Sequence, residues 1–297
     1  MKMSTSLDLS LLFSWAMIPC NGYEIHVYKK GDFEGGTTFT IEDPTILNYS
    51  VSRLFGKRIQ DGTTYYARIR SFNLSEGETP VYSRWSLPSS VKTMGTGWYK
   101  KDGLKYYYKK GKLLKGRHII KKNPYYFDKH GVLRGTCRTM WKKVRHAYSG
   151  RKYLIAVDTT DNRLCVYKGS ADNWVLYKYV KCSTGRLQYR RHSKRYTSKT
   201  PCRSWMTYEK RGRYKHFGEE DGHTCWYCTR LGKAPSNYFF HSIIYRPYSK
   251  SRVKDGRLGK NVSAGCIRLA YKNAKWIYYN AKPKTKIITL RHPRKKR

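Results

Sequence analysis

Short runs in which apolar or aromatic residues take every second position, each cut off by Gly, Asp, Asn or Pro, recur through most of the 297 residues. That period places alternate side chains on opposite faces of an extended chain, whereas a helix needs apolar residues three and four apart. Leu11, Phe13 and Trp15 alternate; Tyr23, Ile25 and Val27 do so after a turn at 19–22, and Tyr65, Ala67 and Ile69 after Asp61-Gly62. Residues 153–158 and 163–167 read as two arms of a hairpin around 159–162, and a third strand begins at 174–179. The clear helical stripe is Ala270, Ala274, Ile277 and Ala281, closed by Pro283. A composition rich in Tyr, Gly and Thr agrees, so the expected fold class is mainly β with a short helix near the C-terminus.

The length suits two or three domains, and the pattern divides accordingly. Residues 7–93 have the rhythm of a β-sandwich. They resemble a fibronectin type III domain at Trp15, at GTTYYARIRSFN (62–73) with Tyr65 as a candidate corner tyrosine, and at SRWS (83–86). The leading strand looks clipped, as though the chain begins inside a domain. Residues 97–135 hold a short repeat, in which Tyr106-Tyr107-Tyr108 returns as Tyr125-Tyr126-Phe127 and Gly111 as Gly131. Such β-hairpin units resemble the aromatic wall-binding repeats of Gram-positive surface proteins, and binder and spacer stand as equal readings. Residues 136–150 read as a basic linker, 151–291 as a further domain and 292–297 as a basic tail.

Sixty-two Lys and Arg against 19 Asp and Glu give a net charge of +43. Such a chain seeks polyanions, but charge does not choose among nucleic acid, anionic membrane and phosphate-bearing wall polymer. Its basic residues are dispersed and no nucleic-acid-binding motif accompanies them, so no nucleic-acid partner is expected. The apolar N-terminal stretch of Leu7, Leu9, Leu11, Leu12, Phe13 and Trp15 is interrupted by Asp8 and lacks a cleavage site, so an export signal is expected upstream of this chain. No run reaches the roughly 18 to 20 apolar residues of a membrane span. Of eight cysteines, Cys225 and Cys228 have metal-ligand spacing near Cys202, His216 and His223. With no second C-x-x-C, structural thiols or a disulfide are preferred to zinc, and no metal is expected.

Chemistry concentrates between FFHSIIY (239–245) and SAGCIRL (263–269). Cys266 ends an extended segment shortly before the helical stripe, and a helix N-terminus or an imidazole activates a thiol by favouring its thiolate. Gly265 allows close backbone approach and presents amide groups toward a developing oxyanion. His241, at the edge of an apolar strand, is the candidate base.

These residues resemble the YkuD-type L,D-transpeptidase family, whose signature is a His, a spacer, then Ser/Thr-x-Gly-Cys, an apolar residue and Arg or Asn. Here they are His241 and Ser263-Ala264-Gly265-Cys266-Ile267-Arg268. The likeness extends over about 151–291, through YLIAVDTTDNRLCVY, CSTGR, TPCRSW, KWIYYN and KTKIITL. It implies a peptidoglycan crosslinking or trimming enzyme associated with the cell wall outside the cell, acting on stem peptides without metal or organic cofactor. It further implies Cys266 as nucleophile, His241 as proton acceptor and donor, the Ser242 carbonyl as orienter of the imidazole, and an oxyanion hole from the backbone of Ala264, Gly265 and Cys266. Ser263 and Arg268 are expected to bind substrate, although a structural salt bridge suits Arg268 equally well. The charge suggests retention on anionic wall polymers. Three departures stand out: Ala264 replaces a common histidine, Arg203 a common glycine, and the spacer after His241 is long, so an extended loop over the site is expected. A non-catalytic wall-binding protein is the alternative.

Overall fold

A computed structural model describes residues 1–6, 10–29, 35–54, 56–75, 79–191, 195–207, 210–217, 222–233 and 236–292, with only the backbone of 190, 195 and 210–217. The start of the 7–93 segment and nearly all of the 292–297 tail lie outside the described residues. The fold is mainly β, with two short helices, Arg138–Val144 and Tyr271–Asn280. The chain forms two compact units, residues 1–101 with 105–114, and 102–104 with 115–297.

In the first unit, Lys2–Thr5, Leu11–Ser14 and Asn48–Val51 make one antiparallel sheet. Ser89–Lys92, Thr64–Leu74, Gly22–Lys29 and Thr37–Ile41 make a second, with Pro80–Tyr82 also on Thr64–Leu74. Leu11, Phe13 and Val51 from the first share one core with Tyr23, Ile25, Val27, Tyr65 and Ala67 from the second. The Tyr65 hydroxyl accepts the Gln60 N–H at 2.9 Å, a bond that fixes the entry to its strand. Strand Gly22–Lys29 departs from simple alternation, because Glu24, His26 and Tyr28 are buried as well. Arg70 pairs with Glu24 at 2.7 Å, and its guanidinium lies 3.6 Å from the Tyr82 ring centroid and 4.4 Å from Trp85. This ladder of Arg and aromatic rings covers a face that its polar residues mark as outward.

Each aromatic repeat folds as a three-stranded sheet, and the boundary between the compact units falls between them. In the second repeat Tyr125 stacks on Tyr179 with centroids 4.8 Å apart, and Tyr167 donates to the Arg134 carbonyl at 2.7 Å. Those contacts spend an aromatic face on packing within the unit. The basic stretch 136–150 is not all linker. Met140 and Val144, one helical turn apart, are both buried, while Lys142 and Lys143 ride the outer side of Arg138–Val144.

The second unit is organised by one large sheet. Tyr153–Asp158 lies between parallel Lys286–Leu290 and antiparallel Arg163–Lys168, which pairs with Val175–Gly185. Val175–Gly185 then carries Ile267–Leu269, and beyond it stand Phe239–Ser242, parallel, and His223–Arg230, antiparallel to that. Helix Tyr271–Asn280 packs on these last three strands. Its Ala274 and Ile277, with Ala281 at its end, join Phe240, Ile267, Leu269 and Ile155 in the core. Three residues of the expected stripe are thus buried, while Ala270 is half-buried at the N-cap, and the packed face fixes which sheet face is left for chemistry. Among the described residues no helix is long and apolar enough to cross a membrane.

Candidate active site

Strand alternation sorts the motif residues. Phe240 pairs with Ile267 and Ser242 with Leu269 on the helix side, while His241 pairs with Arg268. Cys266, two residues before Arg268, projects with His241 and Arg268 to the opposite face, where it packs against the cluster of Cys225, Cys228, Phe239 and Ile244. Cys266 is partly exposed, and its thiol donates toward the Asn237 carbonyl at 3.7 Å. As expected, a helix begins a few residues after the cysteine, at Tyr271, with strand Ile267–Leu269 between them.

His241 is buried, and its Nδ1 lies 2.6 Å from the Ser242 carbonyl oxygen. A carbonyl only accepts, so Nδ1 carries the hydrogen and the neutral ring presents Nε2 as an acceptor. Burial lowers the imidazole pKa to about 4, against the opposing pull of the Ser242 carbonyl and with help from the Arg268 charge. The ring is therefore neutral at pH 7. Ser242 is anchored by its own hydroxyl, which accepts the Trp226 N–H at 2.9 Å and donates to the Ile243 carbonyl at 2.7 Å.

The loop around the sulfur is held from within. Ser263 is buried, donates to the Cys266 carbonyl at 2.6 Å and accepts the Gly265 N–H at 3.1 Å. Ser263 therefore faces the loop, and of the three amides expected to line an oxyanion hole, that of Gly265 is already engaged. Gly265 has φ +140, and a Cβ there would meet Tyr238 Cε1 at 2.5 Å, so this glycine is required by both backbone and space. Arg268 meets Asp255 at 2.5 Å, and Asp255 also holds Arg257 through both oxygens at 2.8 and 2.9 Å. Those bonds, Arg257 foremost, keep the Asp255 carboxyl well below its usual range. Of the two readings of Arg268, the salt bridge is the one present. Asp255 comes from the long spacer, which forms paired strands Ile244–Tyr245 and Val253–Asp255 rather than only a loop. Ala264 is exposed, and Arg203 lays its guanidinium 3.9 Å from the Trp205 ring centroid.

Three supports escaped sequence reasoning. Thr200 Oγ1 donates to the Gly265 carbonyl at 2.6 Å and accepts the Gly185 N–H at 2.8 Å. Asn261 bridges the Thr159 carbonyl, Thr184 and the Gly185 carbonyl. Tyr238 closes over Gly265. Thr200 and Thr184 stand inside the quoted TPCRSW and CSTGR motifs, and that placement was the available signal. Among the described residues Cys202 is exposed near Thr159, at 3.6 Å, away from Cys225 and Cys228, which are buried beside Phe239, and the His216 side chain of the zinc reading lies outside the described residues. Among the described residues the group with convergent ligand atoms is another one, Cys137, Asp158 and His292.

Residues 152–289 match the family model for YkuD, the L,D-transpeptidase catalytic domain. That span contains His241 and the whole of 263–268, and it is a YkuD-type L,D-transpeptidase catalytic domain. Against curated proteins the chain has no match. Similar solved structures include a fused Zn-dependent amidase/peptidase/peptidoglycan-binding domain-containing protein from Clostridium acetobutylicum, at 30% identity over 48% of this chain and 53% of that one, TM-score 0.35. L,D-transpeptidase 1 from Mycobacterium tuberculosis is 20% identical over 46% and 60%, TM-score 0.31. L,D-transpeptidase 3 of the same organism, with a faropenem-derived adduct, is 20% identical over 46% and 60%, TM-score 0.33. The chain spans between 53% and 60% of the length of these proteins.

Proposed function

We propose that this domain transfers acyl groups between peptidoglycan stem peptides through a thioester on Cys266. The observation that carries the reading is the tautomer of His241: Nδ1–H is committed to the Ser242 carbonyl, which leaves Nε2 as acceptor on the face it shares with Cys266. With its Nδ1–H held and its pKa lowered, the neutral imidazole can take up a proton at Nε2 as attack proceeds.

Nε2 takes the thiol proton as Cys266 Sγ bonds to the carbonyl carbon between an L-centre and a terminal D-residue. The tetrahedral oxyanion is met by the backbone N–H groups of Ala264 and Cys266, that of Gly265 being held by Ser263, an interaction worth about 3 kcal/mol per donor in comparable sites. The C–N bond then breaks, and the imidazolium returns its proton to the leaving D-residue. An amine of a neighbouring stem attacks the thioester to give a crosslink, or water attacks to give a trimmed stem. Ser263 and Thr200 hold the turn, and Arg268, tied to Asp255, sets the charge beside the base. Work on this substrate places the protein outside the cell at the wall, where a charge of +43 favours retention on anionic wall polymers.

Intact-mass spectrometry after mixing the chain with a carbapenem or a tetrapeptide-stem muropeptide tests this. A covalent adduct is expected on the parent, none on Cys266→Ala, and one formed roughly 10²- to 10⁴-fold more slowly on His241→Ala. A folded parent that forms no adduct overturns the proposal in favour of non-catalytic wall binding.

A further inference from the structure

Cys137, Asp158 and His292 are all buried, and their ligand atoms lie within 4.8 Å of one another. They come from three places that the sheet brings together. Asp158 ends strand Tyr153–Asp158, His292 follows its parallel neighbour Lys286–Leu290, and Cys137 immediately precedes helix Arg138–Val144. Asp161, in the turn after Asp158, stands at the edge of the group, its Oδ2 lying 3.0 Å from His292 Nε2, with Asp158 Oδ2 at 3.1 Å from the same nitrogen, so that two carboxylates converge on one ring atom. Cys137 and His292 both fall outside the matched span 152–289, so the cluster is not part of the catalytic domain as the family model defines it.

We infer that Cys137, Asp158 and His292, with Asp161 at the edge, form a binding site for a divalent transition-metal ion of the zinc class. One thiolate, one imidazole and one carboxylate, with a fourth position open to water or Asp161, suit a tetrahedral, borderline-soft ion and not magnesium or calcium, which take oxygen ligands. Arg117, which pairs with Asp161 at 3.0 Å, lies beside the same cluster. An outer layer orients the ligands: Thr136 Oγ1 donates to Asp158 Oδ2 at 2.5 Å, and the Thr160 and Asp161 N–H groups donate to Asp158 Oδ1 at 2.9 and 3.1 Å. A route exists too, since His292 lines a cavity of about 380 Å³ with Thr159, Thr160 and Asn261, beside the exposed Leu187 and Tyr196. Such an ion ties the residues flanking the catalytic domain on both sides to the sheet, a structural and not a catalytic role.

Cobalt(II) titration of the full chain, freed of metal by chelation, tests the assignment independently of any activity. The parent is expected to bind about one ion per chain with a thiolate-to-cobalt charge-transfer band and tetrahedral visible bands, displaced by zinc. Cys137→Ser is expected to lose the charge-transfer band, and Thr136→Val to keep it while binding roughly 10- to 100-fold more weakly. X-ray absorption of the zinc-loaded parent, which requires no variant to fold, is expected to show one sulfur and three nitrogen or oxygen neighbours. A parent that takes up no ion, a band that persists in folded Cys137→Ser, or a shell with no sulfur or several sulfurs overturns the inference.

Discussion

In the second unit Cys266 and His241 share one sheet face, while Cys137 and His292 converge at another place, and the two histidines have opposite electrostatics. At the Cys266 face the histidine is buried against a backbone carbonyl, and burial holds its pKa down to about 4. At the Cys137 corner burial also disfavours the charged ring, but hydrogen bonds to Asp158 and Asp161 outweigh it and hold His292 up to about 10. The thiols differ in parallel. Cys266 is partly exposed, whereas Cys137 is buried, caps a helix by accepting the Met140 N–H at 3.4 Å, and has its pKa raised by burial and by Asp158. Residue type therefore does not distinguish a base from a cation here. The partner does: a carbonyl orients a histidine without charging it, and a carboxylate charges it.

Exchanging the thiols one at a time breaks this contrast most severely. Cys266→Ala is expected to reduce carbapenem acylation by more than about 10³-fold, while Cys137→Ala leaves the rate within about twofold and lowers thermal stability by removing a buried cap. Intact mass against time, with a melting curve for each protein, decides; a folded Cys137→Ala that fails to acylate would sink the distinction. Gly265→Ala comes next. Its Cβ must enter the Tyr238 ring at a φ of +140, so the loop shifts and acylation slows by roughly 10²-fold, measured in the same assay. Thr200→Val is milder. It strips the Gly265 carbonyl and the Gly185 N–H of a buried partner, for a loss of about 1 to 3 kcal/mol by denaturant titration.

The candidate site was legible because its residues are local in sequence: His241 with Ser242, and 263–268, form two short strings that a parallel strand pair sets side by side. The mainly-β class was legible for a similar reason, since a period of two survives in any single strand. What could not be read depends on long-range pairing. Thr200 meets Gly265 across 65 residues and Asn162 meets Asn261 across 99. The Cys137 corner gathers its groups from three segments, with His292 more than 100 positions from the other two, and nothing in their local spacing announces it. The basic stretch read as a linker misled because only Met140 and Val144 mark its helix, and the Lys and Arg residues outnumber them. Strand Gly22–Lys29 shows the same limit: Glu24 and His26 look solvent-facing until Arg70 and Trp85 cover them.

Titration sharpens the comparison without any substitution. Because the folded pKa of His241 lies below its ordinary value of 6.5, the ring stays neutral and competent down to about pH 4. Acylation should therefore lose activity on the acid side near pH 4, not near 6.5. The stability linkage has a definite sign. Above pH 6.5 His241 is neutral in both states and makes no difference; as pH falls toward 4 the unfolded chain takes up a proton that the folded chain refuses, and stability declines across that window. His241→Gln should remove its share of that decline, seen as a flatter melting temperature between pH 6.5 and 4.

Among the groups around the base the smallest expected loss of rate belongs to Asp255, and it tests whether charge near the base is balanced or merely present. Arg268 stands opposite His241 in the ladder, and its positive charge depresses the imidazole pKa. Asp255, at 2.5 Å, neutralises most of that field. Asp255→Asn keeps the shape and much of the hydrogen bonding but leaves Arg268 and Arg257 uncompensated, so the His241 pKa falls further. A weaker base should slow acylation at pH 7 by less than about tenfold, following the modest slope of general-base catalysis, and move the acid limb to lower pH. Arg268→Gln should move the limb the opposite way. A pH–rate profile for the three proteins checks both signs at once, and limbs that coincide would mean that the Ser242 carbonyl and burial alone set the protonation of the base.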